Sequence, residues 1–68
     1  MNNFDFAFWL EDQLARKNMT KLELAYRAGI YPSYISHYIY KHKMPTLKIF
    51  LMILDALGMH MYFEDDES

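Results

Sequence analysis

Gly29, set between two short stretches of helical period, narrows the possible folds of this chain more than any other residue. Before it, Thr20-Lys-Leu-Glu23 reads as a capping box: the Thr20 hydroxyl can accept from one free backbone N–H and Glu23 can reach back to another. The helix so started is expected to run to about Ala28, with Leu24, Ala25 and Ala28 on its buried side. Gly29 supplies the positive φ that ends it, and Ile30 plugs the core. Pro32 is a good first residue for the next helix, because its missing N–H would be unpaired there anyway. Ile35 and Tyr38 or Ile39 point inward, leaving Ser33, Tyr34, Ser36, His37, Tyr40 and Lys41 for the other faces. Residues 19–43 thus predict a helix, a tight turn and a helix, the arrangement that lays its second helix in the major groove of DNA.

Charge is distributed to match. All seven Lys and Arg fall between Arg16 and Lys48, where Glu23 is the one carboxylate among nine. Residues 1–15 carry −3, residues 16–48 carry +6 and residues 49–68 carry −5, within a net charge of −2. Basic residues interspersed with acids would be an ordinary solvated face. Here the two signs are separated, and the positive one covers the helix-turn-helix segment.

The flanks complete a helical bundle. Asn2 or Asn3 can cap a first helix, with Asp5 favourably placed at the positive end of its dipole. Phe6, Leu10 and Leu14 form its inward stripe, and Arg16 and Lys17 lie in its last turn. Asn18 can take the left-handed closing position. Lys41-His-Lys-Met-Pro45 breaks the pattern, and Thr46 caps a fourth helix that runs through Leu57 and is closed by Gly58. Its expected core positions are Leu47, Phe50, Leu51, Leu54 and Leu57. After Gly58 the period changes to two, so residues 59–63 read as a short strand. One strand cannot stand alone, and no other segment offers it a partner, so it is expected to pair with the same strand of a second copy. The expected fold is all-α: four helices with the helix-turn-helix in helices 2 and 3, plus a dimer-bridging strand. Residues 1–63 form one domain and residues 64–68 a solvated acidic tail. That tail is the one feature that does not fit DNA binding, and it reads as a solubility device, as a means of keeping the C-terminus off the duplex, or as a site for a basic partner.

Length argues for a partner too. A chain of 68 residues buries only about 60% of the surface it exposes when unfolded. Disulfides and thiolate metal sites are excluded by the lack of cysteine. Oligomerisation remains, and 53% apolar residues is generous for a lone small domain. Ile49, Met52, Met59 and Met61, with Tyr62 and Phe63 of the strand, are the expected homodimer seam. The first positive charge follows three acids, so no basic leader region is read, and no apolar run approaches the ~20 residues of a membrane span. A soluble, cytoplasmic protein is expected, with no membrane partner.

Chemistry is not indicated. His37 and His42 are five apart and His60 is on another element, so no helical i, i+4 ligand pair exists and no metal is expected. Ser33, Ser36 and His37 lack an orienting carboxylate beside them. With no glycine-rich phosphate loop either, no enzyme and no cofactor are expected.

Met19-Thr-Lys-Leu-Glu-Leu-Ala25, Ala28-Gly-Ile30, Ile35-Ser36, Met44-Pro-Thr-Leu47, Ile53 and Ala56-Leu-Gly58 together resemble the Cro/cI-like (XRE) helix-turn-helix family of phage and bacterial repressors. The resemblance covers about residues 6 to 58 and implies a small lambda-repressor-like bundle. The strand after Gly58 is similar to the C-terminal end of HipB-type antitoxins. By position, the resemblance implies that Lys21 touches phosphate, that Pro32, Ser33 and His37 read bases, and that Tyr40 and Lys41 to Lys43 clamp the backbone. Tyr34 and Tyr40 can donate to phosphates or press on a thymine methyl, or can form a protein-binding surface; Ser36 completes the expected DNA-facing set. The chain departs from the family at Tyr31, where a hydroxyl or amide cap is usual, and at Ile39-Tyr40-Lys41, where Glu-x-Gly is common. Residues 31–40 contain no Arg, Asn or Gln to contact G or A bidentately. The leading expectation is a homodimeric, sequence-specific transcriptional repressor whose recognition helix spans about residues 32–40 and binds a pseudo-palindromic operator. An antitoxin that binds both its promoter and a toxin protein is the alternative. A protein-interaction module that has lost DNA binding is the third reading.

Overall fold

The computed structural model describes residues 4–65 and holds four helices: α1 (Phe6–Arg16), α2 (Lys21–Ala28), α3 (Pro32–Lys41) and α4 (Leu47–Ala56). Each boundary has a local cause. Asp5 accepts from the backbone N–H groups of Ala7 and Phe8 and is itself the cap of α1. That corrects the expected cap at Asn2 or Asn3, which lie outside the described residues; a carboxylate nearer the apolar stripe does the work with a full charge. Asn18 closes α1 in the left-handed region, at φ 54°. Thr20 accepts from the Glu23 N–H at 3.0 Å, but the Glu23 carboxylate turns to Arg27 at 2.7 Å instead of reaching back, so the capping box is half formed. Gly29 ends α2 at φ 75°, Pro32 opens α3, and Thr46 caps α4 through the Ile49 N–H.

One large side chain from each helix is fully buried: Leu10, Leu24, Ile35 and Ile53. Each is expected to contribute roughly 1.5–3 kcal/mol by leaving water. Around them Phe6 gathers an aromatic cluster. It lies nearly parallel to Trp9 at 5.7 Å and edge-on to Tyr38 at 5.9 Å and Phe50 at 5.6 Å, which fastens α1 to α3 and α4. Ile39 is therefore the inward residue of the α3 pair, with Tyr38 half-buried beside it. Burial holds the Tyr38 hydroxyl above its ordinary pKa, with a further contribution from Tyr34.

One expectation for the C-terminal part is corrected, and another is not met within a single copy. Leu47 and Leu51 face solvent, at 61% and 41% exposure, and Ile53, Leu54 and Leu57 carry the α4 core with Phe50 half-buried. Almost every residue of this helix is apolar, so periodicity alone leaves its inward face undetermined; the aromatic cluster fixes it by drawing in Phe50. Gly58 does close the helix region at φ 75°, and Met59 donates back to the Leu54 carbonyl at 2.9 Å. Beyond it, however, no strand is formed among the described residues: 59–65 have no ladder partner within the chain. An extended segment needs a second backbone to satisfy its polar groups, and a single copy supplies none.

Candidate nucleic-acid interface

α3 packs on both α1 and α2 through Ile35 and Ile39, and its opposite side is open. Pro32, Ser33, Tyr34, His37, Tyr40 and Lys41 are exposed, whereas Ser36 is half-buried. No carboxylate occurs in the helix. At its start Tyr31 occupies the N-cap without a side-chain hydrogen bond, and its ring meets that of Tyr34 edge-on at 6.0 Å. The backbone is held there by Tyr34 N–H donating to the Tyr31 carbonyl at 2.9 Å.

At the other end of α3, Tyr40 joins the two helices of the motif. The Lys21 ammonium lies 5.5 Å from the centre of the Tyr40 ring. A cation over an aromatic face is attracted by the ring quadrupole, so the first residue of α2 and the last turn of α3 form one basic edge. Lys41 and Lys43 extend that edge into the following loop, both exposed. Arg16 and Arg27 are committed elsewhere: each forms an i, i+4 ion pair at 2.7 Å, with Asp12 and Glu23 respectively. Hydrogen bonding and charge from Asp12 raise the Arg16 pKa further.

Sequence reasoning missed the contact that anchors the loop. His42 ends α3 in the left-handed region at φ 53°, and its Nδ1 lies 3.4 Å from Asp5 Oδ1, the oxygen that caps α1. Partial burial raises the Asp5 pKa, but hydrogen bonds from the Phe8 N–H, His42 and the Ala7 N–H, with the attraction of a charged His42, hold it below the ordinary carboxylate value. The available signal was a helix that must stop before Pro45 without a glycine, and histidine is among the few other residues enriched at positive φ. Among the described residues no three His, Asp or Glu side chains gather as metal ligands.

Residues 10–63 match the helix-turn-helix family model, a segment that runs from α1 through both motif helices and past α4. The chain belongs to the Cro/cI-like (XRE) helix-turn-helix family. This is a family of DNA-binding transcription regulators rather than of enzymes. No curated protein and no solved structure matches the chain. Of the residues expected at a homodimer seam, Ile49 and Met59 pack on the core of their own chain and Met52 is half-buried. Met61, Tyr62 and Phe63 are exposed, with Tyr62 at 91% and Phe63 at 82%. No described helix is long and apolar enough to cross a membrane.

Proposed function

We propose that the protein is a sequence-specific transcriptional repressor that binds duplex DNA as a homodimer, with α3 as its recognition helix. The observation that carries this reading is the Lys21–Tyr40 contact. It links the start of α2 to the last turn of α3, so that with Lys41 and Lys43 a basic edge borders a carboxylate-free, outward-facing helix. Lys21, Tyr40, Lys41 and Lys43 would take phosphates, and Pro32, Ser33, Tyr34 and His37 would meet base edges. Ser36, half-buried, would act at most at the margin.

The dimer is supported by the exposed run Met61-Tyr62-Phe63 together with backbone over residues 60–65 that has no backbone hydrogen bond within the chain. Antiparallel pairing with a second copy would satisfy the backbone and cover the rings at once. Two copies so joined would present α3 and its twin about one DNA turn, ~34 Å, apart to a pseudo-palindromic operator. Repression would then follow from occlusion of polymerase. Selection of duplexes from a random pool, followed by binding at several salt concentrations, tests the reading. The expected result is a two-fold-related consensus with affinity falling steeply as salt rises; no preferred duplex at low salt overturns it.

Phe8 and Tyr26, 74% and 88% exposed, favour a second reading as an antitoxin, because neither the core nor the proposed DNA contacts use them. Co-expression with the adjacent gene product tests this: a stable complex is expected, and separate elution of the two proteins removes the reading.

A further inference from the structure

We infer that the α3 face recognises thymine through its 5-methyl group, so that the operator carries thymines in the major groove opposite the Tyr31–Tyr34 pair. This rests on the DNA-binding reading above and names what its recognition helix reads. The N-terminal part of a recognition helix is the part that meets base edges. Here that part presents Tyr31, Pro32 and Tyr34, all exposed, around the single small polar residue Ser33. Side chains able to make bidentate contacts to guanine or adenine are absent from residues 31–40, and so are the carboxylates that accept from cytosine. Beside Ser33 and, one turn on, His37, what the first turn presents is an aromatic ridge. Its two rings support each other edge-on at 6.0 Å and 73°.

The major groove offers one apolar group, the thymine methyl. Ring carbon placed against guanine O6 and N7, or against the cytosine amino group, strips these of water and gives no hydrogen bond in return. The same carbon against a methyl removes apolar surface from water on both sides. The ridge therefore discriminates against G·C as well as favouring thymine. The cations of the basic edge bring the duplex to this ridge without reading it.

The test uses the full chain and the best duplex from the random-pool selection, resynthesised with deoxyuridine replacing each thymidine in turn. Uracil pairs as thymine does and lacks only the methyl. At one or two positions per half-site, affinity should fall about fourfold, the factor for one such group removed from water. Tyr34→Phe should keep the distinction between thymine and uracil, and Tyr34→Ala should lose it. Tyr31→Ala, at a 72% exposed position, should weaken the distinction and covers the case in which Tyr34→Ala does not fold. Equal binding of thymine and uracil duplexes at every position overturns the inference while leaving DNA recognition intact. Loss of the distinction in Tyr34→Phe also overturns it, because the hydroxyl would then be the reader. Salt-dependent binding with no consensus overturns it, and no duplex binding at all overturns it together with the proposed function.

Discussion

Asp5 does two jobs with one carboxylate oxygen, accepting from the first turn of α1 and meeting the His42 ring that ends α3. Its pKa is lower folded than unfolded, so its stabilising contribution is complete above the unfolded value of about 3.9. That contribution is lost as pH falls through the lower folded value. Asp5→Asn keeps an accepting cap but cannot titrate. Thermal unfolding followed from about pH 5 down to about pH 2 should show a shallower acid decline for this variant than for the parent. Leu24 tests the core more severely. It is fully buried between α2 and its neighbours, and Leu24→Ala should cost about 2–5 kcal/mol. A domain of this size has roughly 3–10 kcal/mol in total, so denaturant titration should find the variant largely or wholly unfolded at room temperature.

α2 and α3 owe their angle to a turn that only a few residues can make. Gly29 sits at φ 75° with nothing within 4 Å of where a Cβ would be. Gly29→Ala therefore meets no clash and incurs only the backbone penalty, about 1 kcal/mol, read as a lower denaturation midpoint with unchanged slope. This turn, the Thr20 cap, Pro32 and the stripe Phe6-Leu10-Leu14 were legible in the sequence because each has a local physical signature. α4 was legible as a helix but not in its facing: with Leu47, Ile49, Phe50, Leu51, Met52, Ile53 and Leu54 all apolar, the inward side is chosen by contacts with Phe6 and Trp9 that no spacing reveals. The basic edge was half legible. Lys21, Lys41 and Lys43 stood out by charge, whereas the stacking of Lys21 on Tyr40 and the His42–Asp5 contact join residues distant in the chain and exist only once the helices are packed. The strand at 59–63 was read from an apparent period of two and from β-favouring Tyr62 and Phe63, but a pattern cannot supply the partner that a ladder requires.

The assembled chain should behave as a weak polyelectrolyte ligand with one charged side. Lys41→Ala is expected to reduce affinity for all duplexes by a similar factor and to make the salt slope less steep by about 1, measured by anisotropy across a salt series. Replacing Tyr62 and Phe63 together by Ser should leave the helical content unchanged, since both are exposed; on the proposed dimer, sedimentation should show a dimer for the parent and monomers for the variant. Trp9 is the chain's single indole, half-buried against Phe6 at 5.7 Å and Phe50 at 6.1 Å, at the joint of α1 and α4. The tyrosines proposed to face the groove, Tyr31, Tyr34 and Tyr40, make no ring contact with Trp9 among the described residues. Nature has thus left a label-free optical reporter against the core of the bundle: tryptophan emission follows the integrity of that joint during unfolding. It should stay constant when nucleic acid docks, so any change in its wavelength on adding duplex would signal that the bundle itself is rearranged by the encounter.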